Sequence, residues 1–256
     1  MLKRVNLDNR IAELDFLKGF AVIFMILNHL IFDFGQIFFY EFQGTALESF
    51  AVLCSKAHTN AIFKFLTFAL CSEIFITVSG VVSSFAKRTF REGIILAVIA
   101  AVITAASLAV EIAFKMRVTI WFGIFHLLAI CMLISPLIKK IPNAYLLPIA
   151  AVALAMGLCF HSVTINNTAF KFLALFNFKC AGFHSADYYP IIPHLAFYLF
   201  GAFIGRTVYR EPKTKLPLTA KKAFKPLRFL GAYSFETYIL HQPILIGLIY
   251  VLTLII

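Results

Sequence analysis

Uninterrupted apolar runs, each closed by charge, proline or glycine, set the pattern of this sequence; they fall at about 14–33, 63–86, 93–113, 118–138, 144–160, 191–209 and 229–254. A soluble chain of this length would show amphipathic periods, with apolar residues confined to one face of each helix or strand. Here the runs approach the ~20 residues that a helix needs to cross the hydrocarbon core of a bilayer. The pattern predicts an all-α fold, a polytopic integral membrane bundle of about seven transmembrane helices in a single domain over residues 1–256. No internal repeat, low-complexity tract or shift in composition marks a second domain.

Composition agrees: the chain is 61% hydrophobic, against roughly 45–50% in an ordinary soluble domain. Its formal charge of +11 would suit nucleic acid only on a basic soluble domain with aromatic or groove-reading motifs, and none is visible. No nucleic-acid partner is expected. The cations sort instead by side of the membrane. With the N-terminus in the cytoplasm, Lys3, Arg4, Arg10, Lys87, Arg88, Arg91, Lys139, Lys140 and the dense run from Arg206 to Arg228 lie inside. Outside there are only Lys56, Lys64, Lys115, Arg117, Lys171 and Lys179. The excess of cations predicts an N-in, C-out orientation in the cell membrane.

The first run carries Asp15 and Lys18 and leads to Asn28-His29 rather than to a small-residue cleavage site, so it is expected to be retained in the mature protein. Cys54, Cys71, Cys131, Cys159 and Cys180 show neither a CxxC pair nor metal spacing. They are read as small core residues, with no metal site, although Cys54 and Cys180 both fall in predicted outer segments where a disulfide is conceivable.

Ionisable groups inside a bilayer are costly, which makes those within apolar runs the first functional candidates. At ~100° per residue, Asp15, Lys18, Val22, Met25, His29 and Asp33 share one stripe of the first helix. Lys18 and His29 are roughly 16 Å apart along its axis, so the stripe places charge near one surface and an imidazole deeper inside. An imidazole there can serve as a general base, with Asp33 one turn on to orient it or stabilise its charged form. The alternative is a histidine that hydrogen-bonds between helices, with Asp15 and Lys18 marking the interface.

Two further runs hold a histidine. The fourth reads Trp121-Phe122-Gly123-Ile124-Phe125-His126, and the seventh reads Glu236-Thr237-Tyr238-Ile239-Leu240-His241-Gln242-Pro243. Pro243 removes a backbone donor and frees a carbonyl one turn earlier, which creates a polar spot beside His241 and Gln242 or simply a kink. The long outer segments, about 34–62 and 161–190, are rich in aromatic, His, Asn and Ser residues. The second ends in His184-Ser185-Ala186-Asp187-Tyr188-Tyr189-Pro190, where Asp187 and Tyr188 suit sugar hydroxyls, or Asp187 a helix N-cap beside the prolines. The basic segment from Arg210 to Arg228 can receive phosphates or act only as a topological signal. P-loop, GxSxG, HExxH and dinucleotide fingerprints are missing from usable contexts, which removes the usual support for nucleotide hydrolysis, serine hydrolysis and zinc proteolysis.

Four motifs in order resemble one family: Arg10-Ile11-Ala12-Glu13-Leu14-Asp15-Phe16-Leu17-Lys18-Gly19 with His29, Phe122-Gly123-Ile124-Phe125-His126-Leu127, Ser185-Ala186-Asp187-Tyr188-Tyr189-Pro190 and Tyr238-Ile239-Leu240-His241-Gln242-Pro243. Together they resemble the bacterial branch of the heparan-alpha-glucosaminide N-acetyltransferase catalytic-domain family, over about residues 10 to 250. The Lys18–His29 pair is also similar to the first-helix motif of the broader transmembrane acyltransferase superfamily.

The resemblance implies an acetyl-CoA-dependent acyltransferase that takes acetyl from cytoplasmic acetyl-CoA and delivers it to a glycan or amino-sugar acceptor on the far side. Acetyl-CoA would be the acyl-donor substrate, with no further cofactor; membrane lipids and a homo-oligomeric partner complete the expected associations. The expected catalytic residues are His29, Asp33 and Asp15. Lys18, Arg88 and His126 would hold the donor, and Asp187, Tyr188, His241 and Gln242 the acceptor. One departure matters. Eukaryotic members carry Asn at the place of His29, and their proposed catalytic His lies in the loop beyond, near Tyr40 here, where no His occurs before His58. The amine acceptor is therefore not inherited with it, and N- and O-acetyl transfer are both compatible, as are direct transfer and an acetyl-His intermediate. The rival class is a proton-coupled transporter or flippase of a small acid or glycolipid, using the same buried groups as a proton relay.

Overall fold

The computed structural model describes residues 6–115 and 117–256, the side chains of 68 and 69 aside; Lys3 and Arg4 lie outside the described residues. In chain order the helices are α1 (Ala12–Phe32), α2 (Glu48–Thr59), α3 (Ala61–Lys64), α4 (Cys71–Phe85), α5 (Thr89–Phe114), α6 (Ile124–Leu133), α7 (Ser135–Lys140) and α8 (Asn143–His161). A short parallel pair, β1 (Thr164–Ile165) and β2 (Lys179–Cys180), precedes α9 (Ile191–Thr207), α10 (Lys225–Ala232) and α11 (Ser234–Thr253).

The chain is a helical, multi-pass membrane protein. Among the described residues, five stretches are long and apolar enough to cross a bilayer: Ala12–Ile37, Ala61–Phe85, Thr89–Phe114, Asn143–His161 and Ser234–Thr253. Their outer faces could not be left in water; along α5 alone, Val98, Val102 and Ile112 are 60%, 61% and 70% exposed. The remaining two predicted runs form shorter apolar helices, α6 and α9. The run at 118–138 is shortened because its first residues pair with another segment instead of coiling: Ala186 N–H donates to the Thr119 carbonyl and Tyr189 N–H to that of Phe122.

The described residues form two compact units, Met1–Phe75 with Pro212–Ile256 and Ile76–Glu211. In the first, α1 packs tightly on α10 because both offer glycine at the crossing. A Cβ on Gly19 would overlap the Leu227 carbonyl oxygen, and one on Gly231 would overlap that of Asp15. Such small-residue contacts let helix backbones approach where apolar burial alone gives no preference over lipid. The first turn of α1 is closed from far along the chain. Ala12 N–H donates to Thr214 Oγ1 (3.0 Å), and the buried Glu13 accepts from Lys215 N–H (2.7 Å). Buried Arg228 donates to the Leu7 carbonyl (2.8 Å). Beyond α1, Asp33–Ile37 continues as a wider π-type turn. Phe34 stacks on Phe42 there, over Ala51, Cys54 and Ile249.

In the second unit α4, from Ile76 on, packs on α9 through Gly80 and Gly201, while Gly157 brings α8 against Pro193. Ile76, Leu127, Cys131, Leu146 and Tyr198 are fully enclosed. Of the cysteines, Cys54, Cys71 and Cys131 are core residues as predicted, whereas Cys159 is exposed on the outer face of α8; all five thiols are free, Cys54 and Cys180 included.

Candidate functional site

The stripe on α1 turns inward. Asp15, Val22 and Asp33 are buried, and Lys18, Met25 and His29 are half-buried. At its deep end, α11 meets α1 and the π-type turn. The His29 and His241 rings face each other with centroids 4.9 Å apart and planes tilted by 56°. One residue on from His241, Gln242 Nε2 donates to Asp33 Oδ1 (2.9 Å). Asp33 therefore engages Gln242 rather than His29.

The hydrogen positions follow from the partners. His241 Nδ1 lies 2.7 Å from the Tyr238 carbonyl oxygen. A carbonyl only accepts, so Nδ1 carries the proton and Nε2 keeps a lone pair. Nε2 is buried without a hydrogen-bond partner among the described residues, as are Gln242 Oε1 and Asp33 Oδ2. Buried polar atoms are usually satisfied, and leaving one bare costs on the order of 1–3 kcal/mol. Three acceptors in one cluster, all lacking a donor, suit a ligand that brings N–H or O–H groups.

Asp15 lies about 21 Å down the axis from His29 at 1.5 Å per residue and is engaged elsewhere. Its carboxylate receives a forked pair of bonds from Arg10, Nε to Oδ2 at 2.7 Å and Nη2 to Oδ1 at 2.8 Å. That geometry fixes the segment before α1 and has structural reach of its own. Lys18 sits with Nζ 5.9 Å from the Phe75 ring centroid, at the limit of a cation–π contact. In the basic segment Arg228 is buried, and Lys215, Lys221, Lys222 and Lys225 are exposed.

Arg88, His126, Asp187 and Tyr188 belong to the second unit. Arg88 is exposed just before α5. His126 is fully engaged. Thr104 Oγ1 gives its one proton to the Ile120 carbonyl (2.7 Å), so it must accept from His126 Nε2 (3.0 Å), and His126 Nδ1 is left to accept from Gly123 N–H (3.2 Å). Asp187 Oδ2 accepts from Ile124 N–H (3.1 Å), capping α6 from a distant loop, and Gly123 is side-chain-free where a Cβ would strike that carboxylate. Ser185 Oγ accepts from Trp121 N–H (3.0 Å) and donates to the Asp187 carbonyl (2.5 Å). Tyr188 donates to the Ala174 carbonyl (2.5 Å), and burial pushes its phenol up to about 12, so it remains a donor. These residues brace the loop 184–189 against 119–124. A cavity of about 350 Å³ beside them is lined by His161, Asn177, Lys179, His184 and Tyr188, among others. Asp187→Ala is expected to lower stability by about 0.5–2 kcal/mol through loss of the cap, with Asp187→Asn recovering part of it, read as the thermal midpoint in detergent.

Sequence reasoning passed over Glu13 and Thr104, and took Arg228 only as part of the basic segment, whereas it is buried and bonded to the Leu7 carbonyl. Glu13 stood within a quoted motif at the edge of the first apolar run, two residues before Asp15; Thr104, like Ser107 one turn on, is a small hydroxyl in a long apolar helix and gave no sign of its partners. The family described as Heparan-alpha-glucosaminide N-acetyltransferase, catalytic, matches residues 10–243. Comparison with curated proteins and with solved structures found no match.

Proposed function

The chain belongs to the heparan-alpha-glucosaminide N-acetyltransferase catalytic family, and from that premise we propose that it moves acetyl from cytoplasmic acetyl-CoA to an amino-sugar or glycan acceptor at the cell membrane. The observation that carries this reading is the His29–His241–Asp33–Gln242 cluster on spanning helices, with its facing imidazoles and three donor-less acceptors. The acceptor's amine or hydroxyl supplies the missing N–H or O–H, and the imidazole pair takes the proton that must leave as the acyl bond forms. Acetyl-CoA is the acyl donor. Its phosphates have the exposed Lys215, Lys221, Lys222 and Lys225 to meet, and Lys18 stands on the stripe that leads from that end of α1 to His29. Asp15 holds this end in place through Arg10. Asp187 and His126 act on the other unit's loop, as positioning groups.

The test is release of free coenzyme A by the purified protein in detergent, supplied with acetyl-CoA and a panel of amino sugars and glycans. Release that requires an acceptor is expected. No binding of acetyl-CoA, or release indifferent to every acceptor, would sink the reading and turn attention to a proton-coupled transporter.

A further inference from the structure

Within the imidazole pair, one ring is set apart by its hydrogen bonds. His241 is 7% exposed, and its Nδ1–H is spent on the Tyr238 carbonyl at 2.7 Å. That bond leaves the Nε2 lone pair buried and unpartnered, beside the two other bare acceptors, Gln242 Oε1 and Asp33 Oδ2. The Tyr238 carbonyl thus does for His241 what a buried carboxylate does in many catalytic dyads: it fixes the tautomer and supports the positive ring once a proton arrives. His29 has no such bond; its one described interaction is the facing contact with His241. Pro243 adds to the polarity, because it supplies no N–H to the Ile239 carbonyl one turn back.

We propose that His241 Nε2, rather than His29, is the general base that deprotonates the acceptor, with His29 returning the proton to the departing sulfur. This rests on the acetyltransferase reading above. The step balances. The acceptor nitrogen or oxygen forms a bond to the thioester carbonyl carbon as its proton passes to Nε2. The carbon–sulfur bond breaks, and the proton travels from the His241 imidazolium by way of His29 to the thiolate. The products are acetylated acceptor and coenzyme A, with His241 restored. Asp33 and Gln242 hold the acceptor by its remaining N–H or O–H groups.

The discriminating variant is His241→Asn, whose amide keeps a donor at the Nδ1 position for the Tyr238 carbonyl while deleting Nε2. Full-length protein in detergent should bind acetyl-CoA as wild type does, lose about 10²–10⁴-fold in kcat with little change in KM, and recover part of the rate when free imidazole is added. The assignment of His241 is overturned if kcat stays within about threefold of wild type, if acetyl-CoA binding is lost with the rate, or if imidazole restores nothing. A wild-type protein that shows no acceptor-dependent release fails at the earlier step, and an active wild type with an equally active His241→Asn fails only at this one.

Discussion

His29→Ala is expected to lower kcat for acceptor-dependent release of coenzyme A by about 10²–10⁴-fold, the usual contribution of a positioned acid–base group, and to leave acetyl-CoA binding close to that of the wild type. The reason is geometric. The His29 imidazole faces His241 at 4.9 Å between ring centroids and makes no other described contact, so its removal should break the proposed proton transfer without unpairing any other buried group. It also lies about eleven residues, or roughly 16 Å, from Lys18 along α1, which keeps it remote from the exposed lysines assigned to the donor's phosphates. Two residues that pass the same proton act as a unit, and their losses do not add. The double variant His29→Ala with His241→Asn is therefore expected to be no slower than the worse single variant. Fully multiplicative losses would separate the two roles and contradict a shared proton path. The measurement is steady-state kinetics on the three variants, with acetyl-CoA binding followed separately.

Gly231→Ala is expected to destabilise the protein by about 1–3 kcal/mol, with Gly231→Leu at or beyond the upper end, as overpacking of a close contact commonly does. The atom in the way is the Asp15 carbonyl oxygen, with the Gly19 amide nitrogen 2.7 Å from the new Cβ position. Backbone cannot swing aside as a side chain can, so the helices must separate. The separation would strike where Arg10 grips Asp15 and where Thr214 and Glu13 close the first turn of α1. Gly247→Ala is the control, since a Cβ there meets nothing within 4 Å. It should leave the midpoint unchanged or raise it slightly, because alanine favours helix over glycine by up to ~1 kcal/mol. Thermal unfolding in detergent should show a fall of several degrees for Gly231→Ala, at roughly 2–4 °C per kcal/mol for a chain of this size. Equal midpoints for the two variants would mean that the α1–α10 approach does not limit stability.

Hydropathy and periodicity read the α1 stripe correctly. Residues from Asp15 to Asp33 share one face because the helical period is local, set by 3.6 residues per turn whatever else the chain does. The class of fold was legible for a related reason: a bilayer demands that each segment satisfy its own backbone, so helices announce themselves as long apolar runs. Where a run departed from that rule, as at 118–123, the cause was a pairing with 186–189, remote in sequence. The side-chain partners were less open to inspection. His126 and Asp187 could be singled out, but nothing nearby disclosed that Thr104 and Gly123 would engage both nitrogens of the one, or that Ile124 would take the carboxylate of the other.

By itself, then, the sequence determined the helical membrane class, the family and the inward face of the first helix, all of which depend on local period, composition or motif order. Only the tertiary structure decided that Asp33 bonds to Gln242 instead of His29, that Asp15 belongs to Arg10, and that His241 stands opposite His29 with a free Nε2. Asp33 and Gln242 are separated by 209 positions. Hydrogen bonds reach about 3 Å, and no local pattern encodes which groups, so far apart along the chain, will be brought within it.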